Sequence, residues 1–197
     1  MRYEASHKEE TRKRVVKAAA RAIRTHGPFK VGVAGVMAEA GLTHGGFYAH
    51  FSSKDDLVAA GIGHMFDDGR SRLERETAMR PPADALAAYI DFYLSAEHRD
   101  ARASGCPLPF LAADAPRLPC PARERFAQGV ADLTTRLSER LAALDRPDSE
   151  NDATSLLSEM VGALSLARAD PDASRSDAIL NTSRAALKAR FDLNSPK

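Results

Sequence analysis

The fold is decided by the stretch that runs from residue 40 to residue 57, Ala40-Gly41-Leu42-Thr43-His44-Gly45-Gly46-Phe47-Tyr48-Ala49-His50-Phe51-Ser52-Ser53-Lys54-Asp55-Asp56-Leu57. Gly41 accepts the left-handed backbone conformation in which helices end, so we expect a helix to stop there. Thr43 can cap the next helix, which is predicted to reach about Phe51. Ser53 with Asp56 is a capping pattern that opens a longer helix. Helix, glycine-containing turn and second helix follow one another, as in a helix-turn-helix unit.

Helices are also predicted on both sides of this stretch. Ser6 followed by Glu9 is a capping box, and an apolar stripe follows it as far as His26, where a Gly-Pro pair ends the helix. A short second helix is expected from about Val33 to Ala40. Ser53 begins a long fourth helix, and no convincing alternation of apolar and polar residues predicts a strand. The expected fold is all-α.

The helix after Gly41 has two kinds of side chain. Phe47 and Phe51 are four residues apart and are predicted to face inward. Each glycine in a helix costs about 1 kcal/mol relative to alanine, so the Gly45-Gly46 pair indicates close approach to another surface. In a helix-turn-helix, this second helix enters the major groove of DNA, and hydroxyl groups and lysines nearby contact phosphates. The candidate DNA-binding residues are Thr43, His44, Gly45, Gly46, Tyr48, His50 and Lys54.

The charge is unevenly distributed along the chain. The formal net charge is +1, yet residues 1–60 contain ten Lys or Arg against six Asp or Glu, while residues 61–197 contain eighteen against twenty-one. A small basic module that faces phosphates, joined to a larger module that does not, has this distribution. A solvated surface has it too, so charge alone does not decide the function.

Taken singly, these features have ordinary explanations, because two glycines can form a turn and Lys54 can be a surface charge. Together, the run from Ala40 to Leu57 closely resembles the DNA-binding signature of the TetR/AcrR family. The resemblance is strong over residues 8 to about 60, including Ala18-Ala19 and His26 to Phe29, and covers the remainder only in helical layout.

The resemblance implies an N-terminal three-helix DNA-binding domain with a helix-turn-helix at residues 1–60. It implies a larger helical domain for ligand sensing and dimerisation at residues 61–197. Where many members carry Thr or Ser at the start of the second helix and an acidic residue within it, this chain has Val31, Gly32 and Gly35. This departure puts the usual hydroxyl-to-phosphate contact in doubt.

The second half of the chain contains a predicted buried aromatic helix. Pro81-Pro82 interrupts the helical pattern, and Ala83 to Ser95 resumes it with apolar residues on most sides. A proline-broken segment follows. Such a helix beside an irregular segment suits the wall of an apolar pocket, and the resemblance places an inducer cavity in this region. The candidate effector or sensor residues are Cys106, Phe92, Tyr93 and Phe110.

Two interpretations of Cys106 stay open. Free cysteine is among the most buried residue types, so Cys106 can be a small core residue. Alternatively, Gly105-Cys106-Pro107-Leu108 resembles TetR-type repressors that sense electrophiles or oxidants through a modified cysteine, and His98, Arg99 and Arg102 could lower its pKa. A bridge to Cys120, the second cysteine of the chain, is not predicted, because spacing alone cannot place the two α-carbons within bonding reach.

The last two helices are predicted to form a homodimer interface. Two apolar stripes recur at helical spacing, and their breadth exceeds one core face. A two-fold four-helix bundle, with two helices from each chain, would bury them and resembles the family's usual dimer. The alternative is a deeper core within one chain. The stripes are Ala153, Leu156, Leu157, Met160, Val161, Leu164 and Ala167, then Ile179, Leu180, Ala186, Leu187 and Phe191, with Ser155, Ser158, Gly162 and Ala163 between members of the first.

The sequence thus predicts a cytoplasmic transcriptional repressor that binds double-stranded operator DNA as a dimer and is released by a small apolar or electrophilic effector. A transcriptional activator with the same motif is the closest alternative. A thiol-dependent or metal-dependent enzyme is disfavoured, because the histidines lack metal-ligand spacing and no phosphate-binding glycine loop is present. No cofactor, metal or membrane partner is expected. The operator sequence, the regulated genes and the effector's identity are not encoded in any recognisable pattern.

Overall fold

The computed structural model describes residues 2–193, and their side chains from residue 6 onward. Across this range the chain is helical and contains no strand, which confirms the all-α prediction. Two 3-10 helices, His44–Ala49 and Ala115–Arg117, accompany the α-helices. The α-helices are α1 (Arg2–His26), α2 (Val33–Glu39), α3 (Lys54–Thr77), α4 (Pro82–Tyr93), α5 (Ala96–Asp100), α6 (Leu108–Leu111), α7 (Cys120–Ala142), α8 (Ser149–Ala169) and α9 (Ala173–Arg190).

The chain divides into two compact units, each built from two stretches of sequence. The first unit comprises the chain up to Asp68 together with Phe110–Gly129. The second comprises Gly69–Pro109 and the chain from Val130 onward. The predicted domain boundary between residues 60 and 61 stays a prediction, and the compact units show in addition that a later segment joins the N-terminal one.

The first helix is longer than its capping signal predicts. α1 begins at Arg2, so Ser6 and Glu9 lie inside the helix and do not form its N-terminal cap. The preceding residues include Glu and Ala, which are good helix formers, and no breaker stops the helix from extending beyond Ser6. The end is where the sequence predicts it, because Gly27, with φ of 83°, takes the left-handed conformation after His26.

The turn between α2 and the following 3-10 helix is a Schellman motif. Gly41 has φ of 73°. Its N–H donates to the carbonyl of Ala38, and the Leu42 N–H donates to the carbonyl of Met37. These two bonds satisfy carbonyl groups that the end of α2 leaves without helical partners. The predicted stop at Gly41 is therefore confirmed.

The second unit has the aromatic helix α4 and the pair α8 and α9 as its interior. Buried residues of α4 include Leu86, Tyr89, Ile90 and Tyr93. α3 ends at Thr77 and α4 begins at Pro82, so the predicted interruption at Pro81-Pro82 is confirmed. Most of the apolar residues that were expected to form a dimer interface are buried within this unit. They are Ala153, Leu156, Leu157, Met160, Leu164, Ala167, Leu180, Leu187 and Phe191.

Candidate functional site

The segment that should read DNA is a 3-10 helix, His44–Ala49, whereas an α-helix to about Phe51 was predicted. Its hydrogen bonds span three residues, from the Gly46 N–H to the Thr43 carbonyl and from the His50 N–H to the Phe47 carbonyl. Two adjacent glycines lower helix propensity, which favours this short, tight form. We call residues 43–50 the recognition segment.

Two phenylalanines anchor the recognition segment to the first unit. Phe47 and Phe51 are each 2% exposed, and their rings stack with centroids 5.7 Å apart. Tyr48 makes an edge contact with the Phe47 ring at 5.2 Å and is itself 75% exposed. The predicted inward and outward faces are therefore present, and the exposed Tyr48 ring rests against a buried aromatic side chain.

The remaining candidate DNA-binding residues lie on the same outward surface to different degrees. Thr43, His44 and Gly45 are exposed, whereas Gly46 and His50 are half-buried. The Thr43 side chain makes no capping hydrogen bond, so its predicted role as a side-chain cap is wrong, although it holds the N-cap position. Its hydroxyl is thus available for an intermolecular contact.

Lys54 is the first residue of α3 and is exposed. Its Nζ donates to the carbonyl of Phe29 at 3.4 Å, which is a long and weak bond. The helix start around it is fixed by the predicted capping pattern, since the Asp56 N–H donates to Ser53 Oγ at 3.1 Å and the Ser52 N–H donates to Asp56 Oδ2 at 3.1 Å. A rigid helix start therefore presents a cation beside the recognition segment.

The glycines of the recognition segment are not required by the protein's own packing. A Cβ atom added at Gly45 would meet nothing within 4 Å, and one at Gly46 would make an ordinary 3.7 Å contact with Met37. Neither residue has a positive φ. Alanine would fit at both positions in the isolated chain, which strengthens the interpretation that another molecule approaches closely here.

Helix α1 adds two cations that the sequence did not single out. The Arg12 guanidinium lies 4.6 Å from the centre of the Phe51 ring. Burial, followed by the charges of Lys8 and Arg12, lowers the pKa of His50, whose buried Nδ1 has no hydrogen-bond partner among the described residues. His50 is therefore neutral at neutral pH, and the positive charge near it comes from α1. No local pattern in the sequence could have revealed this proximity.

Helix α2 has no side-chain cap at its start. Its N-cap is Gly32, which makes no side-chain hydrogen bond, and Gly35 is exposed without any neighbour within 4 Å of an added Cβ atom. The departure noticed in the sequence therefore has a structural counterpart, and no hydroxyl stands at the N-cap of α2.

In the second unit, Cys106 is half-buried and bonded through its backbone to a buried histidine. The Cys106 N–H donates to His98 Nε2 at 3.1 Å, and His98 Nδ1 lies 2.8 Å from the carbonyl of Tyr93. Because Nε2 accepts, the proton must reside on Nδ1, which donates to that carbonyl. The imidazole thus links α4 to the segment that carries the cysteine.

His98 is held in its neutral form. The side chain stacks on the Phe92 ring and meets the edge of the Tyr93 ring, each with centroids 4.9 Å apart. Burial lowers the pKa of His98 to about 4, against a smaller raising effect of its bond to the Tyr93 carbonyl. Among the candidate sensor residues, Phe92, Tyr93 and Cys106 are therefore grouped around His98, while Phe110 lies in the first unit and packs against that unit's apolar core.

The cation beside Cys106 is one that the sequence did not indicate. Arg99 pairs with Asp100 and Asp177, and Arg102 donates to the backbone carbonyl of Arg168. Arg168 of α8 instead donates from Nη2 to the carbonyl of His98 at 2.8 Å and from Nε to the carbonyl of Arg99 at 3.0 Å. Arg168 is 62 residues from Cys106 along the chain, so only tertiary structure shows the pair.

The two cysteines have different surroundings, and neither is joined in a disulfide bond. Cys120 is exposed, and its Sγ donates to Glu124 Oε1 at 3.3 Å. This hydrogen bond to a carboxylate is the main cause that raises the pKa of Cys120. At neutral pH Cys120 therefore has little thiolate, the form in which cysteine reacts with electrophiles.

Comparison with known families and structures agrees with this arrangement. Residues 15–60 match the model of the bacterial regulatory proteins, tetR family. The comparison with curated proteins gives no match. The matched residues include α2, the recognition segment and the start of α3.

Three solved structures illustrate the likeness. E. coli NemR in its reduced form is 21% identical, with 91% of this chain and 96% of that chain covered and a TM-score of 0.80. A TetR transcriptional regulator from Chloroflexus aurantiacus J-10-FL is 24% identical, with 95% and 96% covered and a TM-score of 0.79. A TetR-family regulator from Streptomyces coelicolor is 21% identical, with 95% and 97% covered and a TM-score of 0.77. The predicted resemblance to the TetR/AcrR family is confirmed for the DNA-binding segment, and the fold of the chain is that of solved TetR-family regulators, in agreement with the expectation of a regulator and not an enzyme.

Within the described residues, no helix is both long enough and apolar enough to span a membrane.

Proposed function

We propose that the chain is a transcriptional repressor that binds operator DNA as a homodimer and is released when an electrophilic effector modifies Cys106. The observation that carries the DNA-binding half is the recognition segment. It is anchored by two buried phenylalanines and presents Tyr48 and two glycines without an internal packing role. Operator DNA lies in the bacterial cytoplasm, so this function places the chain there.

The dimer is supported by the outward faces of α8 and α9. Most residues of their apolar stripes are buried in the second unit, and a set of mostly small residues lies on the other side, exposed except for the half-buried Gly162, with Arg190 bonded to Ser155: Ser155, Ser158, Gly162 and Leu166 on α8 and Ala178, Thr182, Ala185 and Ala189 on α9. We call these eight residues the outer face. Small side chains let two helix pairs approach closely, and Leu166, which is 63% exposed, supplies an apolar contact. Dimerisation would place two recognition segments about 34 to 36 Å apart on successive major grooves.

The sensor role of Cys106 is supported by its half-buried position beside the buried Tyr93 and His98 and the half-buried Arg168. The exposed Cys120 has its pKa raised by a carboxylate, which makes it the poorer nucleophile. The related E. coli protein is described as having a reduced form. A Cys106 thiol that can be chemically modified is consistent with that description.

The test is a DNA-release assay on an operator obtained by selection from a random double-stranded library. Fluorescence anisotropy should show tight binding by the wild type and release after exposure to a quinone. Cys106→Ser should bind equally well and stay bound after the same exposure, and the matched control Cys120→Ser should behave as the wild type. Release of Cys106→Ser by the quinone would refute the sensor role. Activation of a reporter placed behind the operator, instead of repression, would show an activator.

A further inference from the structure

Four titratable or charged side chains from three helices surround the Cys106 thiol. Tyr89 and Tyr93 come from α4, His98 from α5 and Arg168 from α8. The thiol is close enough to raise the pKa of both tyrosines and to act on that of Arg168, and its own N–H is bonded to His98. Cys106 is thus not an isolated cysteine but one member of an enclosed polar cluster.

Arg168 is fixed directly beside the backbone that carries the thiol. A Cβ atom added at Gly105 would lie 2.9 Å from Arg168 Nη2 and 3.2 Å from His98 Nε2, so only glycine fits between them without a shift. The guanidinium donates to two backbone carbonyls, those of His98 and Arg99. A guanidinium has five N–H donors, so these bonds use only two of them.

A nearby anion would stabilise the positively charged Arg168 guanidinium. Burial is the main effect that lowers the pKa of Arg168, and its two acceptors are neutral carbonyl groups. A buried cation is costly unless an opposite charge pairs with it. Asp100 lies near enough to act on Arg168 but is exposed and bonded to Arg99. The Cys106 sulfur is the remaining group of this cluster that can become an anion at moderate pH.

Tyr93 supplies a buried donor to the same cluster. The residue is 1% exposed, its hydroxyl has no hydrogen bond of good geometry to a described residue, and a side-chain hydrogen bond to Cys106 is among the causes that raise the pKa of Tyr93. Leaving a buried hydroxyl without an acceptor is unfavourable. A thiolate at Cys106 would provide an acceptor, and the influence of Cys106 on the pKa of Tyr93 shows that the two groups are neighbours.

We propose that Arg168 and Tyr93 are positioning residues that stabilise the Cys106 side chain as a thiolate, Arg168 through its charge and Tyr93 through its hydroxyl donor. The importance of this pair for regulation rests on the proposed function, in which Cys106 is the sensor. The stabilisation of the thiolate does not rest on the proposed function, because the pKa of the Cys106 thiol can be measured without DNA.

The pair also explains how modification of Cys106 would change the surrounding structure. The thiolate adds to the β-carbon of an α,β-unsaturated carbonyl compound such as a quinone. A sulfur–carbon bond forms, the carbon–carbon π bond breaks, and the electron pair moves to oxygen as an enolate that takes a proton from water. The sulfur is then neutral, so the half-buried Arg168 loses its anion. The bonds from Arg168 to the carbonyls of His98 and Arg99 are the contacts expected to change.

The experiment measures the pH dependence of Cys106 alkylation by iodoacetamide, with thiolate absorbance at 240 nm as a second readout. All proteins carry Cys120→Ser, which leaves Cys106 as the sole thiol of the chain. The parent should titrate below the ordinary cysteine pKa of about 8.5. In Arg168→Gln the apparent pKa should rise by at least about one unit, which lowers the alkylation rate at pH 6 by about tenfold. Tyr93→Phe should lower the rate by a smaller factor.

Arg80→Gln is the matched control, since it removes an exposed arginine of the second unit outside this cluster, and its pH profile should equal that of the parent. Arg168→Lys keeps the charge and should retain most of the effect, so it replaces Arg168→Gln if circular dichroism shows that the latter is unfolded. A parent protein that titrates like free cysteine, or an unchanged profile in Arg168→Gln, would overturn the proposal. A low pKa with DNA release independent of Cys106 would reject the sensor function and leave the thiolate assignment standing.

Discussion

At the residue scale, Tyr48 and Lys54 represent two different ways of holding a phosphate. Tyr48 is a neutral donor fixed against the Phe47 ring, and Lys54 is a cation on the first turn of α3. Only the cation displaces a counterion from DNA when it binds. The salt dependence of affinity therefore separates the two residues.

Lys54→Ala should weaken operator binding and reduce the slope of log affinity against log salt concentration by about 0.9, the value for one lost phosphate neutralisation. Tyr48→Phe should weaken binding with the slope unchanged. Titrations at four salt concentrations measure both quantities. Arg175→Ala is the control, because Arg175 is exposed in the second unit and paired with Asp170. An unchanged slope in Lys54→Ala would remove Lys54 from the interface.

His98 predicts a pH dependence of stability. Its pKa is about 4 in the folded chain, against an ordinary value of 6.5 for histidine. Below pH 6.5 the unfolded state therefore binds the proton and the folded state does not, so the free energy of unfolding falls as the pH falls. The loss should approach about 3 kcal/mol once the pH is below 4.

Denaturant unfolding at fixed protein concentration, repeated between pH 7 and pH 4, measures this loss. His98→Gln should be less stable at pH 7 and should show a flatter decline than the wild type. Parallel curves for the two proteins would mean that His98 is not the group responsible.

At the scale of elements, we expect the two glycines of the recognition segment to lower its stability and to let DNA approach closely. Gly45→Ala and Gly46→Ala should leave the folding free energy unchanged or raise it by up to about 1 kcal/mol, because alanine is favoured over glycine in helical backbone and fits at both sites. Both variants should bind the operator more weakly. Thermal melts paired with anisotropy titrations test this, and full operator affinity in both variants would show that the glycines serve only the local turn.

In contrast to Gly45 and Gly46, Gly129 of α7 is required by packing, because it lies against a side chain of α3 within the first unit. A Cβ atom added at Gly129 would lie 2.3 Å from the Phe66 ring, so Gly129→Ala must displace that aromatic side chain. We expect a loss of about 1 to 3 kcal/mol in the free energy of unfolding. Gly69→Ala, in α3, is the control, because its Cβ atom would meet nothing within 4 Å and should not destabilise. Equal stability of the two variants would contradict the packing.

Local signals made the N-terminal elements predictable. Gly41 and the pair Ser53 with Asp56 act within five residues of themselves, and the structure shows their hydrogen bonds. The 3-10 form of the recognition segment was missed, because the low helix propensity of two glycines was read only as a sign of close approach. Arg168 was missed because its relation to Cys106 depends on how α8 packs, which periodicity does not encode.

At the scale of the whole molecule, the width of the apolar stripes on the last two helices did not distinguish a dimer interface from a core within one chain. Leu156, Met160 and Leu180 are needed inside the second unit, so the dimer prediction now depends on the small outer face. Helical periodicity marks residues that avoid water and does not say whether the same chain or a second copy covers them.

Substitutions on the outer face test the dimer without removing core residues. Ser158→Arg combined with Ala185→Arg should leave the fold intact, yield a monomer and weaken operator binding by at least about tenfold, because two half-sites are no longer held together. Ala127→Arg, at an exposed position of α7, is the matched control. Sedimentation equilibrium gives the mass, and a dimeric double variant would place the interface elsewhere.

The small side chains of the outer face would also affect which chains can form a dimer with this one. Serine, glycine and alanine lose little or no rotamer freedom when they are covered, so association through them would depend on shape rather than on a few large anchors. In a cell that holds several regulators of this fold, one larger side chain on another protein's equivalent face would keep the two from forming mixed dimers. A surface of mostly small side chains would thus favour pairing with an identical chain by excluding larger side chains.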